Sequence, residues 1–416
     1  MDFGLIGEKL PHSFSKEIHR RIAPYDYKLV ELSPESLADF MEKRDFKGIN
    51  VTIPYKREVM KYLDVTDDEA AQIGAVNTVV NRNGKLYGYN TDIYGLSSLL
   101  LRVAGSLEGK SVLILGTGGT SHTARVACRR LGARSITVAG RRAGDDCISY
   151  ETAYETCRDT DVIINTTPCG MFPNANGGDG IAECAVDISR FDNISAVADA
   201  VYNPLRTSLV INARDAGACA EGGLYMLVAQ AVRASELFTG ECRDASVTDR
   251  IFGEISREKE NIVLTGMPGS GKSTLGRAIA EKTGRRFVDT DVLTEERLGM
   301  KISDIFAEHG EEFFRLEETR SVRAAADMTG VVIATGGGVV TRRENILALR
   351  RSGRIFFLDR PLDEITPTAD RPTAFDRDAL RRRFAEREGL YRSSADVTIP
   401  VKNGVERTLE KIIEKL

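Results

Sequence analysis

The stretch GMPGSGKS at residues 266–273 directly follows the apolar run of residues 262–265 and decides the fold of the C-terminal part of the chain. A glycine-rich turn between a strand and a helix lets backbone N–H groups approach an anion at the positive end of the helix. This turn adds a lysine for the outer phosphates and a hydroxyl for Mg²⁺, so it predicts a P-loop that binds a nucleoside triphosphate. The expected ATP contacts are Gly266, Gly269, Ser270, Gly271, Lys272, Ser273 and Thr274.

A second glycine turn, GTGGTS at residues 116–121, follows the apolar run of residues 111–115 but has no such lysine. It is typical of a dinucleotide site. The next strand ends at Gly140, Arg141 and Arg142, where an arginine suits the 2′-phosphate of NADP and an acid would suit NAD. The alternative is that both arginines are merely solvated. The expected NADP(H) contacts here are Gly116, Gly118, Gly119 and Arg141.

The composition limits the classes of partner. The chain has 416 residues, enough for two or three domains, and its formal net charge of −4 gives no basic surface for nucleic acid. No apolar run approaches the length of a membrane span, and the N-terminus does not resemble a signal peptide. The seven cysteines lack metal-site spacing and fit a reducing compartment. We therefore expect a cytoplasmic enzyme of small-molecule substrates, with a homodimer left open.

Short apolar runs alternate with helical patterns, which predicts an α/β fold with mostly parallel sheets. The predicted strands are residues 3–7, 27–32, 48–53, 111–115, 135–139, 161–166, 196–202 and 261–265. The predicted helices are residues 15–22, 34–42, 67–73, 93–103, 120–131, 222–238 and 247–255. We expect a substrate-binding domain at 1–95, completed by 221–255, and a Rossmann-like domain at 96–220. A linker at 256–260 then leads to a P-loop α/β domain of the NMP-kinase type at 261–416.

The first 255 residues or so resemble shikimate dehydrogenase. The resemblance is carried by PHSFS at 11–15, NVTIPYK at 50–56, GAVNT at 74–78, GYNTD at 88–92, NTTP at 165–168 and VYNP at 201–204. It implies substrate contacts from Ser13, Ser15, Thr52, Lys56, Asn77, Asp92, Tyr202 and Gln230. It also implies cofactor contacts from Thr166 and Gly223.

Within this resemblance Lys56 and Asp92 are the expected catalytic pair. Reducing a ketone requires a hydride on carbon and a proton on the developing alkoxide, which a lysine ammonium oriented by a carboxylate can supply. The alternative is a surface ion pair of little energetic value. The surrounding motifs favour the catalytic interpretation.

Residues 261–416 resemble shikimate kinase beyond the P-loop. The further motifs are DTD at 289–291, FRLEE at 314–318, GGG at 336–338, RP at 371–372 and the arginine at 387. The resemblance implies that Ser273 and Asp289 hold Mg²⁺. The implied catalytic residues are Lys272, Asp291 and Arg371, with Arg371 also on ATP. The implied substrate contacts are Asp291, Arg315, Gly336, Gly337, Gly338 and Arg387.

The chain departs from both families in places. Gly140 and Arg142 replace residues usual beside the NADP-binding arginine. The stretch before Arg371 is shorter than usual, and Glu364 stands where an arginine normally stacks on adenine. Arg360 is a candidate for taking over that role.

Together these patterns predict a bifunctional enzyme that makes shikimate with NADPH and phosphorylates it with ATP. Oxidation of quinate with NAD is the alternative for the first half, disfavoured by Arg141. The alternative from another class is a shikimate- or quinate-sensing regulator built from degenerate enzyme domains. Such a regulator is expected to have lost residues such as Lys56 or Lys272, and the chain retains both.

Overall fold

The computed structural model describes residues 1–10, 14–173, 183–365, 377–402 and 404–416. The chain forms two compact units. The first contains Met1–Asn203 and Asn212–Glu254, and the second contains Pro204–Ile211 and Ile255–Leu416. The segment Pro204–Ile211, which we expected within the Rossmann-like domain, therefore groups with the second unit. No helix in the described parts of the chain combines the length and apolar composition that a membrane span requires.

Strands and helices alternate along the N-terminal part of the chain. The strands are β1 (Phe3–Gly7), β2 (Tyr27–Glu31), β3 (Gly48–Val51), β4 (Val65–Thr66), β5 (Thr78–Arg82), β6 (Lys85–Tyr89), β7 (Ser111–Leu115), β8 (Ser135–Gly140), β9 (Ile148–Ser149), β10 (Val162–Asn165), β11 (Ala196–Asp199) and β12 (Cys219–Glu221). The helices are α1 (Ser15–Ile22), α2 (Pro34–Lys43), α3 (Asp68–Ile73), α4 (Asp92–Ala104), α5 (Gly119–Arg130), α6 (Tyr150–Thr156), α7 (Ser208–Asp215), α8 (Leu224–Thr239) and α9 (Ser246–Lys259).

The first sheet has the order β2-β1-β3-β5-β6-β4 and is mixed. Its β1, β2 and β3 are parallel, as predicted, whereas β5 runs antiparallel to both β3 and β6. The β5–β6 hairpin was missed. Its turn is Asn83-Gly84, with φ of 53° and 84°, the left-handed pair that a tight hairpin requires.

The second sheet has the order β12-β11-β10-β7-β8-β9, and all its strands are parallel. This is the predicted doubly wound arrangement. Strand β7 lies between β10 and β8, so the chain order reverses beside it. Ligands of such sheets bind in the crevice at the carboxyl ends of the strands, at this reversal.

Helix α8 packs against the first sheet. Its Ala234 and Phe238 share an apolar cluster with Phe3, Leu5 and Tyr27. A Cβ at Gly48 would collide with the Phe238 ring, so strand β3 can pass this close only as glycine.

Residues 256–260, expected to be a linker, continue helix α9 through Lys259 instead. The amide of Glu260 still bonds the carbonyl of Ser256 at 2.9 Å. Charged Arg, Glu and Lys are good helix formers, and Arg257 and Lys259 lie in the last turn, where cations are favourable. High polarity was therefore a poor sign that the helix had ended.

The second unit is built on a parallel sheet of order β14-β15-β13-β16-β17. Its strands are β13 (Asn261–Thr265), β14 (Phe287–Asp289), β15 (Val332–Ala334), β16 (Gly353–Asp359) and β17 (Val397–Pro400). Its helices are α10 (Lys272–Thr283), α11 (Thr290–Leu298), α12 (Ile302–Ala326), α13 (Arg343–Ser352), α14 (Arg377–Ser394) and α15 (Val405–Ile413). Helix α12 is kinked at Gly310, whose φ is 79°.

Candidate active sites

A cavity of about 460 Å³ in the first unit gathers residues from well-separated parts of the sequence. It is lined by the described residues that we expected to bind substrate, namely Ser15, Thr52, Lys56, Asn77, Asp92, Tyr202 and Gln230. Ser13 lies outside the described residues. The fold brings these groups together because β3, β5 and α4 end or begin at one side of the first sheet and α8 packs against it.

Lys56 and Asp92 are in direct contact in this cavity. The Lys56 Nζ donates to the Asp92 Oδ2 at 2.6 Å, and the two side chains are 31% and 20% exposed. Asp92 is the first residue of α4, where its amide donates to the Asn90 Oδ1 at 3.1 Å. The carboxylate therefore holds the ammonium at the cavity wall while leaving it accessible to a ligand.

Two amide side chains of the cavity are joined through Thr91. The Thr91 N–H donates to the Asn77 Oδ1 at 2.7 Å, and the Thr91 hydroxyl donates to the Gln230 Oε1 at 3.2 Å. Tyr202 lies across the cavity, where burial raises the pKa of its phenol. The wall thus offers neutral hydrogen-bonding groups beside the Lys56 ammonium.

The glycine turn after β7 lies beside Thr166, at the reversal of the second sheet. Gly116 has a φ of 105°, and a Cβ there would lie 2.8 Å from the Thr166 Oγ1. A Cβ at Gly118 or Gly119 would meet nothing within 4 Å, so the start of α5 is open to a ligand. The predicted cofactor residues at this turn therefore share one edge of the sheet.

Arg141 and Gly223 occupy two other positions around this turn. Arg141 is exposed directly after β8, the parallel neighbour of β7, and Gly140 before it lies near Thr117 of the turn. Gly223 lines the cavity, and a Cβ there would clash with the Ala200 carbonyl. Arg141 is thus placed to reach a group bound at the turn, and Gly223 permits a close backbone approach.

Sequence reasoning did not single out Lys9 and Asn50, which also line the cavity. Lys9 is exposed shortly after β1. Asn50 is buried, and it stands at the start of the NVTIPYK stretch that carries Lys56. Because β1 and β3 end at the same edge of the sheet, polar residues directly after β1 could have been predicted to line the same cavity.

A larger cavity of about 1000 Å³ lies in the second unit. Its lining includes the predicted Gly269, Gly271, Lys272, Ser273, Thr274, Asp289, Asp291, Arg315, Gly336, Gly337, Gly338 and Arg387. Arg371 lies outside the described residues. Gly266 and Ser270 belong to the loop but do not line the cavity. Gly266 packs against the Leu358 carbonyl, and the Ser270 side chain is fully buried.

The P-loop presents its cation and its hydroxyl at the start of α10. The Lys272 Nζ donates to the carbonyls of Gly266 and Met267 at 2.8 and 2.9 Å. The Ser273 hydroxyl donates to the Asp289 Oδ2 at 2.8 Å. A hydroxyl and a carboxylate this close are the oxygen donors that Mg²⁺ prefers, so the pair fits the metal.

Arg315 is held by two carboxylates. It donates to the Glu318 Oε2 at 2.8 Å and to the Glu311 Oε1 at 3.0 Å. Burial alone would lower the pKa of this guanidinium, but the two carboxylates outweigh it and raise the pKa. Glu318 is 1% exposed and was not predicted, although it belongs to the quoted FRLEE motif.

The three consecutive glycines at 336–338 let other functional groups approach closely. A Cβ at Gly336 would lie 2.7 Å from the Asp291 Oδ1, one at Gly337 would lie 2.7 Å from Pro268 of the P-loop, and one at Gly338 would clash with Arg315. Arg387 donates to the Gly337 carbonyl at 3.0 Å. Any side chain at these positions would push the cavity wall apart.

Arg360 also lines this cavity, although the sequence suggested it only as a substitute for a missing arginine. It follows β16, and its Nε lies 3.8 Å from the Glu364 Oε2. Glu364 therefore faces Arg360 as an ion-pair partner.

The family models match both parts of the chain. Residues 5–79 match the shikimate dehydrogenase substrate binding domain, and residues 268–416 match shikimate kinase. The shikimate dehydrogenase (NADP(+)) of Clostridium perfringens is 37% identical over 270 residues, covering 61% of this chain and 97% of that protein. The chain belongs to the shikimate dehydrogenase family. It also carries a shikimate kinase domain in its C-terminal part.

Other relatives and solved structures agree with this assignment. The shikimate dehydrogenase (NADP(+)) of Methanococcus maripaludis is 34% identical, covering 57% of this chain and 91% of that protein. A chorismate mutase/shikimate 5-dehydrogenase fusion protein from Clostridium acetobutylicum is 34% identical with a TM-score of 0.56, covering 61% of this chain and 96% of that one. A quinate dehydrogenase from Corynebacterium glutamicum in complex with NAD is 27% identical with a TM-score of 0.54, covering 61% of this chain and 99% of that one.

Proposed function

We propose that the chain reduces 3-dehydroshikimate to shikimate with NADPH and then phosphorylates the shikimate 3-hydroxyl with ATP. The observation that carries this proposal is the pairing of two family domains in one chain, each with its charged groups gathered in a cavity. We assign 1–95 with 221–255 to substrate binding, 96–220 to NADP(H), and 261–416 to phosphoryl transfer.

In the dehydrogenase, NADPH supplies the hydride to the substrate carbonyl carbon. Lys56 donates the proton to the alkoxide that develops on the carbonyl oxygen, and Asp92 keeps the ammonium in position at 2.6 Å. Asn77 and Gln230 bind ring oxygens, while Ser13 and Ser15 bind the substrate carboxylate. Tyr202 and Thr52 complete the wall of the cavity.

Arg141 supports NADP(H) over NAD(H) because a guanidinium binds the 2′-phosphate that only NADP(H) carries. The relatives are named for NADP(+), and a dehydrogenase of Thermus thermophilus with 27% identity and a TM-score of 0.53 was solved in complex with NADP(H) and shikimate. Quinate with NAD, the pair suggested by the Corynebacterium glutamicum structure, is the less favoured alternative.

In the kinase, ATP is the phosphoryl donor, and Mg²⁺ would supply part of the positive charge that the transfer requires. Ser273 and Asp289 would hold Mg²⁺, and Lys272 and Arg371 would neutralise the phosphates. Asp291 accepts the proton of the attacking hydroxyl. Arg315 and Arg387 bind the substrate carboxylate, which fixes the ring at the wall formed by Gly336, Gly337 and Gly338.

Retention of Lys56, Asp92, Lys272 and Asp291 disfavours the sensing regulator, because degenerate enzyme domains are expected to have lost some of these catalytic groups. The proposed partners are the small-molecule substrates. No disulfide bond joins any of the seven cysteines, all of which lie among the described residues, and this supports a reducing cytoplasm. The homodimer left open by the sequence requires a measurement of molar mass by light scattering.

The test measures each half separately. NADPH oxidation with 3-dehydroshikimate is compared with NAD reduction by quinate, and ADP formation is followed with shikimate and MgATP. We expect the first and third reactions to be fast and the second to be slow. Binding of shikimate without either turnover would support the regulator instead.

A further inference from the structure

Asn50 lines the dehydrogenase cavity with one end of its amide fixed by a buried tyrosine. The Tyr27 hydroxyl donates to the Asn50 Oδ1 at 2.7 Å, and the two residues are 3% and 6% exposed. Burial raises the pKa of Tyr27 well above its ordinary value, so the hydroxyl keeps its proton. Tyr27 therefore forces the Asn50 carbonyl oxygen towards itself.

The other end of the Asn50 amide then points towards Thr78. The Asn50 Nδ2 donates to the Thr78 Oγ1 at 3.0 Å, and the Thr78 hydroxyl in turn donates to the Asn77 Oδ1 at 3.0 Å. The Thr91 N–H donates to the same Asn77 oxygen at 2.7 Å. Two donors thus satisfy the Asn77 carbonyl, which leaves its NH₂ group for a ligand in the cavity.

The chain of hydrogen bonds continues from Thr91 to Gln230. The Thr91 hydroxyl lies 3.2 Å from both the Asn77 Oδ1 and the Gln230 Oε1. The Asn77 oxygen already accepts two hydrogen bonds. The Thr78 Oγ1, also 3.2 Å from the Thr91 hydroxyl, already accepts from Asn50, so we assign the Thr91 proton to Gln230. The Gln230 Nε2 donates to the Leu227 carbonyl at 3.0 Å and keeps one further N–H.

We infer that Tyr27 is a positioning residue of the dehydrogenase, which sets the direction of this hydrogen-bond chain so that Asn77 presents N–H donors to a substrate oxygen. The inference rests on the proposed dehydrogenase function. Without the Tyr27 hydroxyl, the Asn50 oxygen loses the donor that fixes it, and only the weaker bond from the Asn50 Nδ2 to the Asn77 backbone carbonyl at 3.3 Å opposes a turn of that oxygen towards Thr78. Thr78 then donates to Asn50 and no longer to Asn77, whose carbonyl keeps the Thr91 N–H but loses one of the two donors that hold the amide in place.

Tyr25 provides a matched control in the same apolar cluster. Its hydroxyl bonds the His19 Nδ1 at 2.6 Å, and the His19 ring stacks on Tyr27 with centroids 3.9 Å apart. Tyr25→Phe therefore removes a partly buried hydroxyl that bonds His19, and it leaves the direct bond from Tyr27 to Asn50 in place.

The test compares Tyr27→Phe with Tyr25→Phe in the full chain. Tyr27→Phe should raise the KM for 3-dehydroshikimate by about 3- to 10-fold, the effect of one lost hydrogen bond, with little change in kcat or in the KM for NADPH. Tyr25→Phe should leave all three nearly unchanged, and shikimate phosphorylation should be normal in both. Equal effects of the two variants, or no effect of Tyr27→Phe, would overturn the inference.

Thr78→Val interrupts the chain at a second link and keeps the test decisive if Tyr27→Phe folds poorly. It should raise the same KM by a similar factor. Because both changes break one chain, the double variant should be no worse than the more severe single variant. Multiplied effects would show two independent roles and contradict the inference. A wild-type protein inactive on 3-dehydroshikimate would instead refute the proposed function.

Discussion

At the scale of single residues, Lys56 and Asp92 lie 36 positions apart in sequence and 2.6 Å apart in the fold. Lys56→Ala should lower the rate of 3-dehydroshikimate reduction by about 10²–10⁴-fold, because the alkoxide loses its proton donor. NADPH oxidation and shikimate phosphorylation are measured on the same preparation. The kinase rate should stay near normal, and a comparable fall in both rates would contradict the assignment of Lys56 to the reductase.

Arg141 should decide between the two nicotinamide cofactors. Arg141→Ala should remove the proposed charge-assisted hydrogen bond to the 2′-phosphate, worth about 1.5–3 kcal/mol, which corresponds to roughly 10- to 150-fold in NADPH affinity. NADH binding should change little. Arg142→Ala, the exposed neighbour, is the matched control. Equal losses for NADPH and NADH, or equal losses in both variants, would mean that Arg141 has no specific role.

At the scale of elements, helix α1 should make the first unit sensitive to acid. Burial lowers the pKa of its His19 from 6.5 to about 3, with a hydrogen bond to Asn50 acting weakly in the opposite direction. A histidine whose pKa is lowered by folding stabilises the folded state at pH values above the pKa that it has in the unfolded chain. This stability is lost as the pH falls towards the pKa that the histidine has in the folded protein. The free energy of unfolding should therefore fall by about 2 kcal/mol between pH 7 and pH 5 from this group alone.

Denaturant unfolding of the wild type and of His19→Gln at both pH values checks this. The variant should be less stable at pH 7 but should show a shallower fall towards pH 5. Parallel falls in the two proteins would assign the acid sensitivity to other groups.

The segment after β16 carries Glu364, which we expect to leave the adenine base of ATP more weakly held. Glu364 pairs with Arg360 at 3.8 Å and cannot itself make a cation–π contact with adenine. Glu364→Arg should increase the affinity for ATP by about 2- to 30-fold, which is the effect of one cation–π contact with adenine. It should also raise the preference for ATP over GTP. Asp363→Arg makes the same change of charge one position earlier and should do less. Nucleotide affinities measured by calorimetry decide this, and no gain over Asp363→Arg would defeat the idea.

The elements also show what the sequence could predict. Both glycine turns and their flanking strands were predictable, since the loop residues and apolar runs are local signals. The β5–β6 hairpin was missed although Asn83-Gly84 is a local hairpin signal. Helix α9 was expected to end at residue 255 because the following residues are polar, whereas it continues through Lys259. The roles of Asn50 and Glu318 could not be predicted from the sequence. Only tertiary contacts show that Asn50 belongs to a hydrogen-bonded chain and that Glu318 is buried beside Arg315.

At the scale of the whole molecule, one chain combines two cavities whose proposed reactions are consecutive. The cavity that contains Lys56 is lined by residues of the first unit, and the cavity that contains Lys272 is lined by residues of the second. The product proposed for the first, shikimate, is the substrate proposed for the second. The grouping of Pro204–Ile211 with the second unit could not be predicted from local patterns, because it depends on contacts between distant parts of the sequence.

The most direct test of the central claim supplies the purified protein with 3-dehydroshikimate, NADPH and MgATP together, and follows NADPH loss and ADP formation separately. We predict that NADPH is consumed first and that ADP then forms in an equal final amount, with no ADP formed when NADPH is omitted. Lys272→Ala should leave the NADPH loss intact and abolish the ADP. NADPH consumption without ADP formation by the wild type, or ADP formation that does not require NADPH, would contradict the account.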